Sequence, residues 1–406
     1  MTNRQLFLNQ LTQTSPAPMG LEIARAKGVY LFSPQGKKYM DLIAGISVSN
    51  IGHAHPKVVK AVKDQAEKFM HLMVYGEYVQ SPQVKLAKRL TELLPKKLSS
   101  IYFVNSGSEA VEGALKLSKR FTRRTEIVAF KNAYHGSTHG ALSVMGNETM
   151  KQAFRPLLPD VRFLEFNNEK QLEQITNKTA CVIVESIQGE AGVIEPVGNR
   201  QLAVSKNNFL QLLRKRCDET GTLLIFDEIQ TGMGRTGKLF AFEHYGIVPD
   251  VLCLAKAFGG GMPLGAFISS KEIMSTLSHD PVLGHITTFG GHPVCCAAAL
   301  TALELIASPP APLLKEKGGV SWKGELFKKL LKHPRIKEVR GKGLLLAVQF
   351  SSEEENKKII SRCIQNGVVV DWFLFRSDAM RIAPPLTISE KEIKKACEVI
   401  LKSIDE

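Results

Sequence analysis

The stretch DVLCLAKAFGGGMPLGA, Asp250 to Ala266, decides how the chain is read. An apolar run, Val251 to Ala255, ends in a single lysine, Lys256. Three glycines follow, Gly259 to Gly261, and a second apolar run, LGAFIS (264–269), begins at once. A run of this length without polar alternation is a strand covered on both faces. A lysine at its end has two readings. Its head can snorkel to water, or its amine can sit in a partly desolvated cleft, where the pKa falls and a nucleophile is freed. Alone, Lys256 would take the first. The glycines shift the balance, because they belong where a backbone turns sharply or approaches a ligand. They do not spell the G-x-G-x-x-G of a dinucleotide site.

Similar apolar runs recur on the N-terminal side: IYFV (101–104), EIVAF (126–130), ACVIVE (180–185) and TLLIFD (222–227). Helical patterns lie between them, as at 108–124 and 203–220. The alternation predicts an α/β domain with a mainly parallel sheet. SPPAP (308–312) breaks a helix and reads as a connector. Beyond it come a Lys-rich helix, GKGLLLAVQF as a strand, a helix near 352–366, VVVDWF and MRIA as strands, and a last helix. Ser389 and Glu392 frame that helix as a capping box.

Bulk properties narrow the function. The 406 residues carry a formal charge of +14. The lysines are scattered and no nucleic-acid motif accompanies them, so a solvated surface is expected, with no nucleic-acid partner. Such a field also draws in anionic small molecules. No stretch approaches the ~18 apolar residues of a membrane span. The segment MTNRQLFLNQLTQTSPAP lacks the basic-then-apolar order of a signal peptide. The seven cysteines show no CxxC spacing, which disfavours a disulfide framework and a metal site and suits a reducing cytoplasm.

Two more segments carry chemistry. In YFVNSGSEAVEGALKLSKRF (102–121) a strand enters Ser106, Gly107 and Ser108 and then a helix with Ala110, Ala114, Leu117 and Phe121 on one face. Exposed N–H groups at a helix start, beside hydroxyls, cradle a phosphate, although a Ser-capped helix is also common in any α/β fold. In LLIFDEIQTGMGRTG (223–237) Asp227 ends an apolar strand, where an open parallel sheet faces its ligand. No set of metal ligands gathers around it. A phosphate cradle, a strand-end acid and a strand-end lysine together fit pyridoxal phosphate (PLP), which needs a phosphate grip, a carboxylate for its ring nitrogen and an amine for its aldehyde.

With these residues in view, the chain resembles the class III (subgroup II) PLP-dependent aminotransferases, the group of acetylornithine, ornithine and 4-aminobutyrate aminotransferases. The resemblance runs from GVYLFSPQGKKYMDLIAGISVSNIGHAHPKVVKAV to MRIAPPLTI. It is carried by SGSEAVEGALKLSKR, ESIQGEAGVIEP, TTFGGHPVCCAAAL and, most specifically, DEIQTGMGRTGKLFAFEHYGIVPDVLCLAKAFGGGMPLGA. It implies fold type I, a large domain with a mainly parallel seven-stranded sheet plus a smaller α+β domain. Residues 1–50 would belong to the small domain, 51–308 to the large PLP-binding domain, and 313–406 to the small domain again. It implies ping-pong transfer of an amino group from an ω-amine or amino acid to a keto acid, 2-oxoglutarate, in a cytoplasmic homodimer with shared active sites. Rival readings on the same fold are an acetylornithine/ornithine or 4-aminobutyrate aminotransferase proper, and another PLP reaction: an aminomutase, racemase or decarboxylase. A rival from another class is a basic binding protein on an enzyme scaffold.

The resemblance also implies roles. Lys256 would hold the cofactor and Asp227 its ring nitrogen. Ile229 and Tyr134 would pack on the ring faces, Gln230 and Glu185 would lie on its hydroxyl side, and His135 would be structural. Ser106, Gly107 and Ser108 would hold the phosphate, and Thr288 would reach the phosphate in the other subunit. Glu190 and Arg381 would form a switch for the substrate carboxylate. Three departures stand out. Ser186 follows Glu185 where the family often has Pro, His292 replaces a helix-capping Asn before Pro293, and Ser137 stands where the named enzymes typically carry an arginine for a substrate carboxylate.

Overall fold

The computed structural model describes residues 1–197, 208–308, 312–315 and 317–406. Near the start, three short strands, β1 (Arg25–Lys27), β2 (Tyr30–Phe32) and β3 (Lys38–Asp41), form an antiparallel meander. Only β3 is largely buried, which is why the apolar-run criterion passes over all three.

The central sheet contains β4 (Ser100–Val104), β5 (Glu126–Phe130), β6 (Val161–Leu164), β7 (Thr179–Glu185), β8 (Leu223–Asp227), β9 (Val251–Leu254) and β10 (Gly265–Ser269). Their spatial order is β4-β10-β9-β8-β7-β5-β6. The pairs β5–β6, β5–β7, β7–β8 and β8–β9 are parallel, and β10 runs antiparallel to both neighbours. The six expected strands are present. The seventh, β6, is the edge strand, and its partly exposed residues give no continuous apolar run.

Both faces of the sheet are covered. The helix Gly107–Thr122 lays Ala110, Ala114 and Leu117 on one face, with Phe121 packed beside them. It lies so close to β10 that a Cβ on Gly113 would stand 2.2 Å from the Phe267 ring. On the other face Phe130, Phe209, Phe226 and Phe258 share a core with the helices Ser81–Leu93 and Pro293–Ala307. Of the helix expected over 203–220, Phe209–Thr220 is seen with Asn208 as its cap. Residues 203–207 lie outside the described residues, as do 309–311 of the expected connector.

The C-terminal part corrects two expectations. GKGLLLAVQF is not one strand: β11 (Glu338–Lys342) and β12 (Leu345–Gln349) form a hairpin. Gly343, at φ +58°, makes its turn. VVVDWF is also divided. After the helix Glu353–Gln365, β13 (Val368–Val369) pairs in parallel with β3, whereas β14 (Asp371–Phe373) pairs with β15 (Arg376–Ile382) in a sheet ordered β11-β12-β15-β14. The last helix, Glu390–Asp405, has the Ser389–Glu392 capping box. Val29, Met40 and Leu42 share a second core with Phe327, Phe350, Ile393 and Ile400. Arg235, fully buried, ties this part to the central sheet. It donates to Leu344 O (2.9 Å), to Pro384 O (2.6 Å) and to Asn50 Oδ1. No described helix is long and apolar enough to cross a membrane.

Candidate active site

β4, β5, β7, β8 and β9 run in one direction, so their carboxyl ends open on one cleft. A cavity of about 330 Å³ lies there. Lys256 enters it from just beyond the sheet. The strand stops at Leu254, and Lys256 begins a tight turn, Lys256–Gly259, with φ +51°. A left-handed lysine is held only where surrounding structure fixes it, a form of strain that clusters at functional sites. Burial lowers the Lys256 pKa, against an opposing pull from Glu190. The glycines now separate by role. At Gly260 (φ +63°) a Cβ would meet Ala298 O and Ala302 Cβ at 2.9 Å, so that glycine admits the helix Pro293–Ala307. Gly261 (φ +101°) lines the cavity.

Asp227 closes β8 and is buried. Its Oδ2 accepts from His135 Nδ1 at 2.7 Å, and its Oδ1 accepts from Ile229 N at 3.0 Å. This fixes the carboxylate's orientation and leaves His135 Nε2 buried and unpartnered among the described residues. At the start of the helix Gly107–Thr122, the Ser106 hydroxyl accepts from Glu109 N. Gly107 and Ser108 keep the orphan N–H groups of a helix start. A Cβ on Gly107 would stand 2.9 Å from Ile229 Cδ1, so only glycine leaves Ile229 its place. Ser137 N donates to Ser108 Oγ at 3.3 Å.

Glu185, at the end of β7, accepts from Tyr134 N (3.3 Å) and Gly189 N (3.0 Å). Burial, and then the neighbouring Asp227, push its carboxyl well above the ordinary range. Glu190 faces Arg381 of β15, with Nη2 to Oε2 at 2.7 Å, and it also accepts from Leu374 N and Gln230 Nε2, each at 3.1 Å. Burial pushes the Glu190 carboxyl up, but Arg381 and Lys256 outweigh it, so the group titrates below its usual value. Burial likewise disfavours the Arg381 charge, and Glu190 with Asp371 reverses the effect.

All the expected site residues line this cavity except Arg381, which sits behind Glu190, and Thr288. Thr288 is exposed, in a stretch with exposed Val282, Ile286 and Phe289. Ser137 is exposed too, its hydroxyl 3.3 Å from Tyr134 Oη. Ser186 donates to buried Glu228 at 2.7 Å, a bond that proline could not make. His292 makes no side-chain cap bond. Sequence reasoning passed over Thr231, whose buried hydroxyl in the cavity wall has no partner among the described residues. It also passed over Asp371, which closes an apolar run (VVV) much as Asp227 does.

The residues present fit PLP. Orphan N–H donors meet a glycine where a Cβ would press on Ile229, a buried amine enters from the side, and a fixed carboxylate stands in the wall. Fold and site together define a PLP-dependent transferase. A family model described as Aminotransferase class-III matches residues 12–404. The acetylornithine aminotransferase of Methanopyrus kandleri is 40% identical over 374 residues, 91% of this chain and 90% of that protein. That of Methanocaldococcus jannaschii is 38% identical over 397 residues, covering 95% and 92%. Among solved structures, the ornithine aminotransferase of Toxoplasma gondii, with PLP at partial occupancy in its active site, superposes with a TM-score of 0.88 at 29% identity, covering 98% of this chain and 92% of that one. An (S)-enantioselective omega-transaminase of Thermomicrobium roseum gives 0.86 at 28%, covering 99% and 98%. The chain belongs to the class-III aminotransferases, and PLP is its cofactor.

Proposed function

We propose that this aminotransferase takes its amino group from a diamine, or from the terminal amine of a longer amino acid, and passes it to 2-oxoglutarate through one pocket. Bound PLP supplies the electron sink for the carbon that carries the amine. Lys256 holds the cofactor and moves the proton at that carbon. Asp227, oriented by His135, faces the ring nitrogen, and Ile229 and Tyr134 flank the ring. Gln230 and Glu185 lie toward its hydroxyl. Ser106, Gly107 and Ser108 hold the phosphate. Glu190 occupies Arg381 when an ω-amine enters and gives it up to an α-carboxylate, whose geometry the guanidinium fork matches.

The observation that carries the donor class is the cation count. Among the described residues lining the cavity, Lys256 is the one lysine or arginine, Arg381 is closed by Glu190, and Ser137 offers only a hydroxyl. A donor that needs a second carboxylate contact lacks a partner. N-Acetylornithine, suggested by the relatives' names, carries such a carboxylate. The test is the amine half-reaction, followed through the cofactor's visible spectrum without keto acid. Putrescine should convert the cofactor to its amine form faster than 4-aminobutyrate or N-acetylornithine. The reverse order would overturn the donor class.

The proposal includes a homodimer in which Thr288 reaches the partner's phosphate site. It is supported by exposed apolar side chains around Thr288 and by Phe289 lying 4.8 Å, ring to ring, from His71 beside exposed Met70 and Leu72. The domain division 1–50 and 313–406 against 51–308 is supported by the second core, which joins Val29 and Met40 to residues 320–404. A cytoplasmic location agrees with seven buried free thiols.

A further inference from the structure

Arg381 has two acidic neighbours. Glu190 reaches it from the loop after β7, and Asp371 reaches it from β14, where it stands directly opposite Arg381 in strand register. The distance from Asp371 Oδ1 to Arg381 Nε is 3.2 Å. Trp372 O accepts from Nη2 at 3.2 Å, and the Phe373 ring lies 4.6 Å from the guanidinium carbon. Nη1 is buried and has no acceptor among the described residues, and Nε and Asp371 Oδ1, though ion-paired, make no hydrogen bond there either. The guanidinium is therefore divided by edge: Nε toward Asp371, Nη2 toward Glu190, and Nη1 unoccupied.

The two acids differ in freedom. Glu190 is on a loop, where a rotation of its side chain would exchange its partners. Asp371 is fixed by its strand pairing and stays when Glu190 leaves. We propose that Asp371 is the specificity-determining partner of Arg381: it holds the guanidinium by its Nε edge with Nη1 and Nη2 facing the pocket, and its negative charge limits how tightly that guanidinium binds a substrate carboxylate. The proposal rests on the reading of Arg381 as the carboxylate site. It goes beyond a two-residue switch, because a fixed acid sets the baseline against which Glu190 and the substrate compete. Once Glu190 has left, Asp371 already balances the one buried cation, so an incoming carboxylate meets no net positive charge.

Protonation of Asp371 restores that positive charge. Burial pushes its carboxyl up to about 7, against the pull of Arg381, with Glu190 and Asp41 adding to the rise. Asp41 lies on β3, and His53 Nε2 is 2.7 Å from it. Among the described residues, the charged groups around Asp371 are Arg381 from β15, Glu190 from its loop, and Asp41 with its partner His53. As pH falls through about 7, Asp371 takes up a proton and a carboxylate should bind Arg381 better. Above it the charge returns and binding weakens.

The test is calorimetry of the holoenzyme with glutarate, an unreactive dicarboxylate, in two buffers of different ionisation enthalpy. The native enzyme should bind glutarate about tenfold more weakly at about pH 8.5 than at about pH 6, with proton uptake on binding. Asp371→Asn keeps a side chain of the same size beside Nε and loses the charge, so it should bind tightly at both pH values without proton uptake. Asp371→Ala loses the hold on Nε and should bind weakly at both. An unchanged pH profile in Asp371→Asn, with a normal cofactor spectrum, would overturn the proposal. Arg381→Ala separates the two readings. If it binds glutarate as the native enzyme does, the carboxylate assignment itself fails. If it loses binding while Asp371→Asn behaves as native, only the role of Asp371 fails.

Discussion

Arg381 is 2% exposed yet meets three kinds of partner: two carboxylates, a carbonyl and an aromatic face. A buried guanidinium left underpaired is expensive, so under the proposed switch Glu190 stays until a substrate carboxylate replaces it. Replacing Arg381 by Ala removes that site and leaves Glu190 free. The 2-oxoglutarate half-reaction should lose about 2–4 kcal/mol of transition-state binding, the range for truncating one member of a buried charge pair. The amine half-reaction should lose much less. Stopped-flow spectra of each half-reaction read the two separately, and equal losses would show that no switch operates.

Helix starts show how local chemistry and tertiary demand part company. Ser389, Asn208 and Ser106 each cap a helix through a side-chain oxygen, as their types favour. His292 does not, although Pro293 pre-sets the first turn. Its ring instead stacks on His71, with centroids 5.7 Å apart. His292→Asn should restore the cap and raise apoenzyme stability by about 0.5–1 kcal/mol, whereas Ser389→Ala should lower it by about 1 kcal/mol. Urea unfolding midpoints check both. A destabilised His292→Asn would mean that the His71 stack contributes more than a cap.

For the whole molecule, completeness of the site is the issue. Thr288 lies outside the cavity of its own chain, on an apolar exposed surface. If two chains share their sites, mixing inactive Lys256→Ala with a Thr288 variant of weak PLP affinity yields hybrids with one doubly damaged site and one intact. At equal amounts, activity should recover to about a quarter of native, because half the dimers are hybrids with one good site each. No recovery after subunit exchange, or full activity in a monomer by light scattering, would refute the shared site.

The sequence by itself determined the features that leave a local trace. Continuous apolar runs mark β4, β5 and β7 to β10, because strands buried on both faces need them. The cap residues mark helix starts, because the orphan N–H groups lie within three residues of the cap. Asp227 and Lys256 were legible because strand ends next to glycines and turns are unusual places for lone charges, and the resemblance supplied their partners. Only the tertiary structure decided what depends on pairing between distant segments. Edge strand β6 hides its pattern because water covers part of it. VVVDWF divides because β3 and β15 compete for its two halves, and neither is visible from within it. Asp371 meets Arg381 through strand register, and Gly260 is required by a helix that begins more than thirty residues later. A contact of that kind has no local signature, since it depends on which segments the fold brings together and not on the residues beside it in the chain.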